Sequence, residues 1–373
     1  MRIFLLFIAF MALTGCTREQ IMRTTGQTDF SITSRFAVDG LAPLPGSFTV
    51  AEGQGFNQYR YTFKKRTEGI WGESIQNNPS VFVKYTNGYR NRVMIDFGNK
   101  KITVSTVNSV DPVAHLQKAI TTILLAPLSP EKVDIYSDRD IELGGQPFLL
   151  GRVKDSDGKD IKWQWRAKKY AQSLTNTALE VEQVKFRKAY SVSFRFDGQQ
   201  EINAPYKYKS IVKSASEKYG IPEDLIYGII KTESSFNPFA VSHAGAFGLM
   251  QVVPRTAGAD VFRLIKGKSG KPTRKQLFDP AFNIDIGTAY LTILRDRYLK
   301  GISDPVSLEY GMISAYNGGA GGVFRAFGTR KPKEAKAKIN SMSPAEVFDQ
   351  LKNKHPFAEA RGYIVKVSKN RKL

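Results

Sequence analysis

Between Gly220 and Pro238 the chain carries a helix whose start, stop and buried face can all be read from its residues. Gly220 ends a polar helix running from Lys207 to Tyr219. Pro222 is placed to open the next, because its missing N–H is not needed in a first turn. Leu225, Ile226, Ile229 and Ile230 then form an apolar stripe. Glu233 falls seven residues after Ile226, four after Ile229 and three after Ile230, so it continues the face that must be buried. Asn237-Pro238 stops the helix within about one turn and leaves Glu233 at its negative end. Burial and the helix dipole both favour the neutral acid, which is the form that protonates a glycosidic oxygen near neutral pH. A lone glutamate at a helix terminus is more often simply solvated, so the surrounding residues decide the matter.

Those residues are Glu233-Ser234-Ser235-Phe236-Asn237-Pro238, then Gly245-Ala246-Phe247-Gly248-Leu249-Met250-Gln251 and Pro254-Arg255-Thr256-Ala257. Residues 234 to 257 read as a turn-rich segment leading into a further helix, with Gly245 and Gly248 allowing close backbone approach to a ligand. Ser242 and Gln251 offer hydrogen bonds. Together with Ala315-Tyr316-Asn317-Gly318-Gly319, these segments resemble the lytic transglycosylase branch of the lysozyme-like superfamily, whose members cut the glycan strands of bacterial murein.

The resemblance implies a mainly helical, lysozyme-like catalytic domain. In it Glu233 is the acid, Ser242, Gln251 and Asn317 bind the sugar, and Tyr316 sits near the acid. Glu359-Ala360-Arg361-Gly362-Tyr363-Ile364-Val365 is similar to the family's last motif, which brings Glu359 and Tyr363 close to the cleft. Val253 stands where several relatives have methionine, a difference that bears on pocket shape. Asp279-Pro280-Ala281-Phe282-Asn283-Ile284 opens a helix to about Leu299, read as scaffold.

Ordinary glycosidases pair two carboxyl groups about 5 to 9.5 Å apart. No second carboxylate lies between Glu233 and the end of the glycine-rich motif, and the next, Asp260, matches no family role. The resemblance implies that the substrate's own C6 hydroxyl is the nucleophile and that 1,6-anhydromuramic acid ends form, with no cofactor. A distant Asp folding into the cleft would leave a water-using murein hydrolase as one alternative. The other is a non-catalytic murein-binding lipoprotein, against which Glu233 argues.

Met1 to Ala12 is a short basic and apolar segment, too short to span a bilayer, and reads as an export signal. Leu13-Thr14-Gly15-Cys16 resembles a lipoprotein signal-peptidase box, which implies lipidation of Cys16 and loss of Met1–Gly15. Cys16 is the only cysteine in 373 residues, so no intrachain disulfide is possible. Two acyl chains anchor stably where one does not, and Thr17 in place of Asp points to the outer membrane, facing the periplasm. The formal charge is +21, and residues 201–373 hold 28 basic against 15 acidic residues, a balance of +13. A basic surface raises the local concentration of murein, whose peptides carry carboxylates. Nucleic acid is the rival partner at a pI near 9.8, but the export signal and the absence of a nucleic-acid module argue against it. The expected partners are peptidoglycan glycan strands and outer-membrane lipid; oligomeric state is not set by the sequence.

Residues 16–75 read as an anchored segment and linker, with Gly40–Gly46 as linker and Phe56–Trp71 as helix. Val81–Tyr85 and Val93–Phe97 alternate as strands around Asn87-Gly88, Ile102–Val107 is a third, and Asp111-Pro112 caps a helix through about Leu124. Phe148–Val153, Ile161–Arg166 and Val184–Phe196 are further strand candidates. The expected fold class is therefore α+β: an α+β domain over residues 76–201, similar in outline to the N-terminal domain of membrane-bound lytic transglycosylases, then the catalytic domain over 202–373. Gly267-Lys268-Ser269 is no phosphate loop, since Phe262 stands where a glycine is required. Asp155-Ser156-Asp157-Gly158 reads as a hairpin turn and not a calcium loop, and His115, His243 and His355 show no metal-ligand spacing, so no metal is expected.

Overall fold

The computed structural model describes residues 54–128, 133–196, 204–242 and 244–371. The export signal, Cys16, the Gly40–Gly46 linker and His243 lie outside the described residues.

Alternating segments of the first half pair into one antiparallel sheet. Its strands are β1 (Val81–Thr86), β2 (Asn91–Asp96), β3 (Lys101–Thr106), β4 (Leu179–Val184) and β5 (Arg187–Arg195), in the order β1-β2-β3-β5-β4. The hairpin expected at Asn87-Gly88 forms, with Thr86 opposite Asn91 and positive φ at Asn87, Gly88 and Tyr89. Helix α1 (Gln54–Trp71) buries Phe63, whose ring meets Tyr85, Tyr89 and Tyr136 edge-on at 5.5, 5.8 and 5.7 Å. Helix α2 (Pro112–Leu124) starts where Asp111 accepts the Ala114 N–H at 3.1 Å, and its buried Leu116, Ile120 and Ile123 cover the sheet beside α3 (Gln164–Thr177).

Three strand expectations are corrected. Phe148–Val153 is a run of turns in which the Leu149 carbonyl accepts from both Arg152 and Val153, so its apolar residues reach the core without extending. Ile161–Arg166 alternates only in sequence: Trp163 and Trp165 are 57% and 59% exposed, and α3 begins at Gln164. Val184–Phe196 is split by a turn at Lys185-Phe186, with Lys185 at φ 51°, so β4 begins earlier, at Leu179.

The second half is helical: α4 (Ala204–Tyr219), α5 (Glu223–Ser234), α6 (Ala259–Leu264), α7 (Arg274–Phe278), α8 (Pro280–Ile293), α9 (Pro305–Gly318), α10 (Ala320–Ala326), α11 (Pro332–Asn340), α12 (Pro344–Lys354) and α13 (Ala358–Asn370). Gly220 ends α4 at φ 60°, and Pro222 is the residue before α5. The helix expected from Asp279 to about Leu299 runs as α8 and then a π turn over Leu294–Tyr298. Helix α13 packs on α5 at Gly228, where a Cβ would lie 2.7 Å from Arg371 Cγ and 3.2 Å from the Val367 carbonyl.

The two halves meet through the turn after α5. Phe239 packs against Phe82 at 4.7 Å and Phe148 at 5.5 Å between ring centres, and Asn237 Nδ2 donates to the Pro79 carbonyl at 3.3 Å.

Candidate active site

The stripe that predicts burial is buried: Leu225, Ile226, Ile229 and Ile230 are wholly enclosed, and Glu233 follows them in the last turn of α5. Glu233 as a residue is half-buried, with its carboxyl end closely surrounded. Burial pushes its pKa up to about 7, the charge of Glu359 adds to the rise, and a hydrogen bond from Tyr363 opposes it. Tyr363, on α13, donates its hydroxyl to Glu233 Oε1 at 2.7 Å. Burial raises the phenols of Tyr363 and Tyr316 well above their usual range, and the charge of Glu233 acts in the same direction, so both remain hydroxyls. Tyr316 donates to the Met250 carbonyl at 2.8 Å and meets Tyr290 edge-on at 5.8 Å. It therefore braces the glycine-rich loop beside the acid.

The chain leaves α5 by two consecutive left-handed residues, Ser235 at φ 50° and Phe236 at φ 61°. Left-handed backbone at non-glycine residues is strained and persists only where its surroundings enforce it. Ser234 does so, its Oγ donating to the carbonyls of Ile230 at 3.0 Å and Leu249 at 2.8 Å. Asn283, fully buried on α8, holds the glycine-rich loop to which Ser234 is tied. Its Nδ2 donates to the carbonyls of Phe247 at 2.8 Å and Leu277 at 2.7 Å, and its Oδ1 accepts from the Met250 N–H at 2.8 Å. Gly248, at φ 74°, is required by this clamp, since a Cβ there would stand 2.4 Å from both Asn283 Nδ2 and the Leu277 carbonyl. Sequence reasoning passed over Ser234 and Asn283. A signal for Asn283 existed: an amide set among the apolar residues of α8.

Ser242 Oγ accepts the Ala246 N–H at 3.0 Å, which leaves its own proton free to donate. Gln251, at φ 47°, spends its Nε2 on the carbonyls of Ala240 at 3.1 Å and Gly248 at 2.9 Å, while its Oε1 is buried without a partner. Asn317 and Glu359 form a pair at the exposed rim, Nδ2 to Oε1 at 3.1 Å. The structure thus brings Glu233, Tyr316, Tyr363, Asn317 and Glu359 together, while Gln251 is tied into the glycine-rich loop. Gly318 of the Ala-Tyr-Asn-Gly-Gly segment and Gly322 beyond it have a packing cause, since a Cβ at either would lie 2.4 or 2.5 Å from the buried His355 ring, whereas Gly319 is called for by its positive φ of 72°.

Among the described residues, no group of three or more His, Cys, Asp or Glu side chains is placed to hold a metal ion. Asp155 closes a turn by accepting the N–H groups of Asp157 and Lys159, as the hairpin reading expects. An open groove of about 720 Å³ at Asp260, Arg263 and Lys268 contains none of the site residues.

The family model for the N-terminal domain of membrane-bound lytic murein transglycosylase C matches residues 49–207, and the transglycosylase SLT domain matches residues 210–339. The chain is 45% identical over 326 residues to the membrane-bound lytic murein transglycosylase C of Serratia proteamaculans, covering 87% of this chain and 90% of that one. It is 46% identical over 322 residues to the protein of the same name from Klebsiella pneumoniae, covering 86% and 89%. Among solved structures it is similar to the 70-kDa soluble lytic transglycosylase of Escherichia coli, at 29% identity and a TM-score of 0.34 over 44% of this chain and 23% of that one. It thus spans about a quarter of that protein's length. With both halves matched and nearly the whole length of the curated relatives covered, the chain belongs to the membrane-bound lytic murein transglycosylase C family.

Proposed function

We propose that this protein is a peptidoglycan lytic transglycosylase in which Glu233 is the sole acid and base. The observation that carries the reading is a carboxyl group held near pKa 7 by burial, touched by Tyr363, and placed in a cleft where the other carboxylate, Glu359, is at the exposed rim. Protonated Glu233 gives its proton to the oxygen linking N-acetylmuramic acid to N-acetylglucosamine. As a carboxylate it then takes the proton of the C6 hydroxyl, whose oxygen closes on C1 to leave a 1,6-anhydromuramic acid end; no water is consumed. The Tyr363 hydroxyl favours the carboxylate and so assists the first half-step, in which Glu233 gives up its proton. Ser242 is assigned a sugar hydrogen bond through its free proton, Asn317 and Glu359 the rim of the sugar site, and Gln251 and Tyr316 the cleft wall.

The working units are assigned as residues 76–201 and 202–373, a division supported by the adjoining family matches at 207 and 210. Among the described residues no helix is long and apolar enough to cross a membrane. The membrane attachment named for the relatives is assigned here to lipid on Cys16, at the periplasmic face of the outer membrane. A Cys16→Ser protein is expected to leave the membrane fraction; normal processing with retention in outer membranes would refute the anchor. Mass spectrometry of digested murein tests the chemistry: anhydro ends are expected, and reducing ends would move the protein to the water-using hydrolases.

A further inference from the structure

Two of the chain's three tryptophans, Trp163 and Trp165, face solvent at 57% and 59% exposure, while the third, Trp71, is enclosed at 1%. Being two residues apart, the exposed pair have Cα atoms within about 7 Å of each other. Two large rings left together in water form a contact surface, where a single exposed apolar residue would call for no explanation.

The rings are also held in place. Lys162 lies over Trp163 at 5.2 Å and Arg166 over Trp165 at 4.6 Å, measured to the ring centres. Arg166 is in turn ion-paired to Asp155, whose carboxylate closes the preceding turn by accepting the N–H groups of Asp157 at 3.0 Å and Lys159 at 2.9 Å. Turn, carboxylate, guanidinium and ring form one braced unit. A ring fixed in this way has little freedom left to lose when a ligand arrives.

The surround of the rings identifies what they fit. Between Asp155 and Lys169 the aliphatic side chains, Ile161 and Ala167, are buried, and the exposed neighbours of the rings are Lys162, Gln164 and Lys168. A lipid surface is met by rings set among aliphatic residues. Flat rings beside amide and ammonium donors match a sugar, which shows C–H groups on its face and hydroxyls at its rim. The ammonium groups also complement the carboxylates of murein peptides. Tyr170 on α3 meets Phe194 of β5 at 5.9 Å, and Phe196, where β5 ends, joins Phe97 and Phe148 in the aromatic cluster that packs on Phe239. Helix α3 is thereby packed at the end of the sheet that meets the helical half.

We propose that Trp163 and Trp165 form a second glycan-binding platform, on the sheet half, which stacks on the sugars of a murein strand while another stretch of that strand occupies the Glu233 cleft. The proposal rests on the murein-cleaving reading and gives the sheet half a part in holding the polymer. A strand engaged at two places is held more tightly than either place alone would hold it.

Binding is measured on Glu233→Gln protein, so that the sacculi stay intact, and turnover on protein that keeps Glu233. Trp163→Ala combined with Trp165→Ala is expected to weaken co-sedimentation with purified sacculi by about tenfold, as loss of aromatic anchors does. The pair of substitutions should leave the melting temperature unchanged, because both rings are exposed. It should also leave kcat/KM unchanged on a soluble murein tetrasaccharide, since the cleft alone engages so short a chain. Titrating peptide-free glycan strands into the protein should shift tryptophan emission to the blue, with the enclosed Trp71 as constant background. The proposal is overturned if the double variant keeps full sacculus binding, if the emission does not move, or if tetrasaccharide turnover falls in the same proportion as binding. Vesicles of phosphatidylglycerol and phosphatidylethanolamine, offered to Cys16→Ser protein, decide the other partner. A loss of vesicle binding as large as the loss on sacculi also overturns the proposal, because the rings would then serve a lipid surface. Failure of the murein-cleaving reading looks different: the unmutated protein would release no anhydro ends from sacculi, whatever the rings hold.

Discussion

Glu233 concentrates the chemistry in one titration. Its pKa is raised to about 7 from the ordinary carboxylate value of 4.5, because burial disfavours the charge, so the folded state favours the neutral form. The stabilisation that goes with a raised pKa is full below about 4.5 and is lost as pH rises through about 7. Glu233→Gln, neutral at every pH, should therefore match the unmutated protein in stability near pH 4 and exceed it above pH 7, by on the order of 3 kcal/mol at most. Denaturant titration at the two pH values measures this. The same variant should still bind sacculi while releasing anhydro-muropeptides at least about 10² to 10⁴-fold more slowly, since neither half-step has another proton carrier. Tyr363→Phe makes a finer prediction. Removing the hydrogen bond to the charged form raises the Glu233 pKa further, so the high-pH limb of kcat/KM should move upward; a limb unchanged in position would detach Tyr363 from the acid. Glu233 was legible because its burial follows from the spacing of four aliphatic residues on one helix. The bond from Tyr363 was not legible as geometry, because it joins residues 130 apart in sequence, and only the resemblance brought Tyr363 to the cleft.

At the scale of elements, the glycine-rich loop is held above all by the fully buried Asn283. Asn283 satisfies three backbone groups at once, and Asn283→Ala would take that partner from the buried Met250 N–H and the Leu277 carbonyl while leaving the Phe247 carbonyl only the Val252 N–H. The expected loss is about 3 kcal/mol or more in urea unfolding, with activity falling faster than sacculus binding as the loop relaxes. Helices with explicit caps were readable: Asp111 and Asp279 mark the starts of α2 and α8. Segments with a period-2 pattern but no ladder partner were not. Trp163 and Trp165 alternate like strand residues while lying exposed at the start of α3, where Lys162 and Arg166 sit against their rings at 5.2 and 4.6 Å. Pairing partners decide whether an alternating run becomes a strand, and they lie elsewhere in the chain.

For the whole molecule, Phe239 is the point at which the sheet half and the helical half share a core. Phe239→Ala would open a cavity against both Phe82 and Phe148, at a cost of about 3 kcal/mol or more. Because the loss falls on the seam, calorimetry should show the single transition of the unmutated protein broaden or divide in two. An unaltered single transition would mean that the halves are coupled by other contacts.

The dependence of Glu233 on α13 also sets an order of events. The acid and its hydroxyl partner are on helices separated by most of the helical half, and Asn370 at the far end of α13 fastens to Thr232 on α5 at 3.0 Å. Long-range contacts of this kind close late in folding. Until α13 docks, Glu233 lacks the enclosure that keeps it neutral and is left as an ordinary ionised carboxylate. A partly folded chain is thereby harmless to the wall it will later cut, and a protease that trims α13 would silence the protein without touching the motif loop.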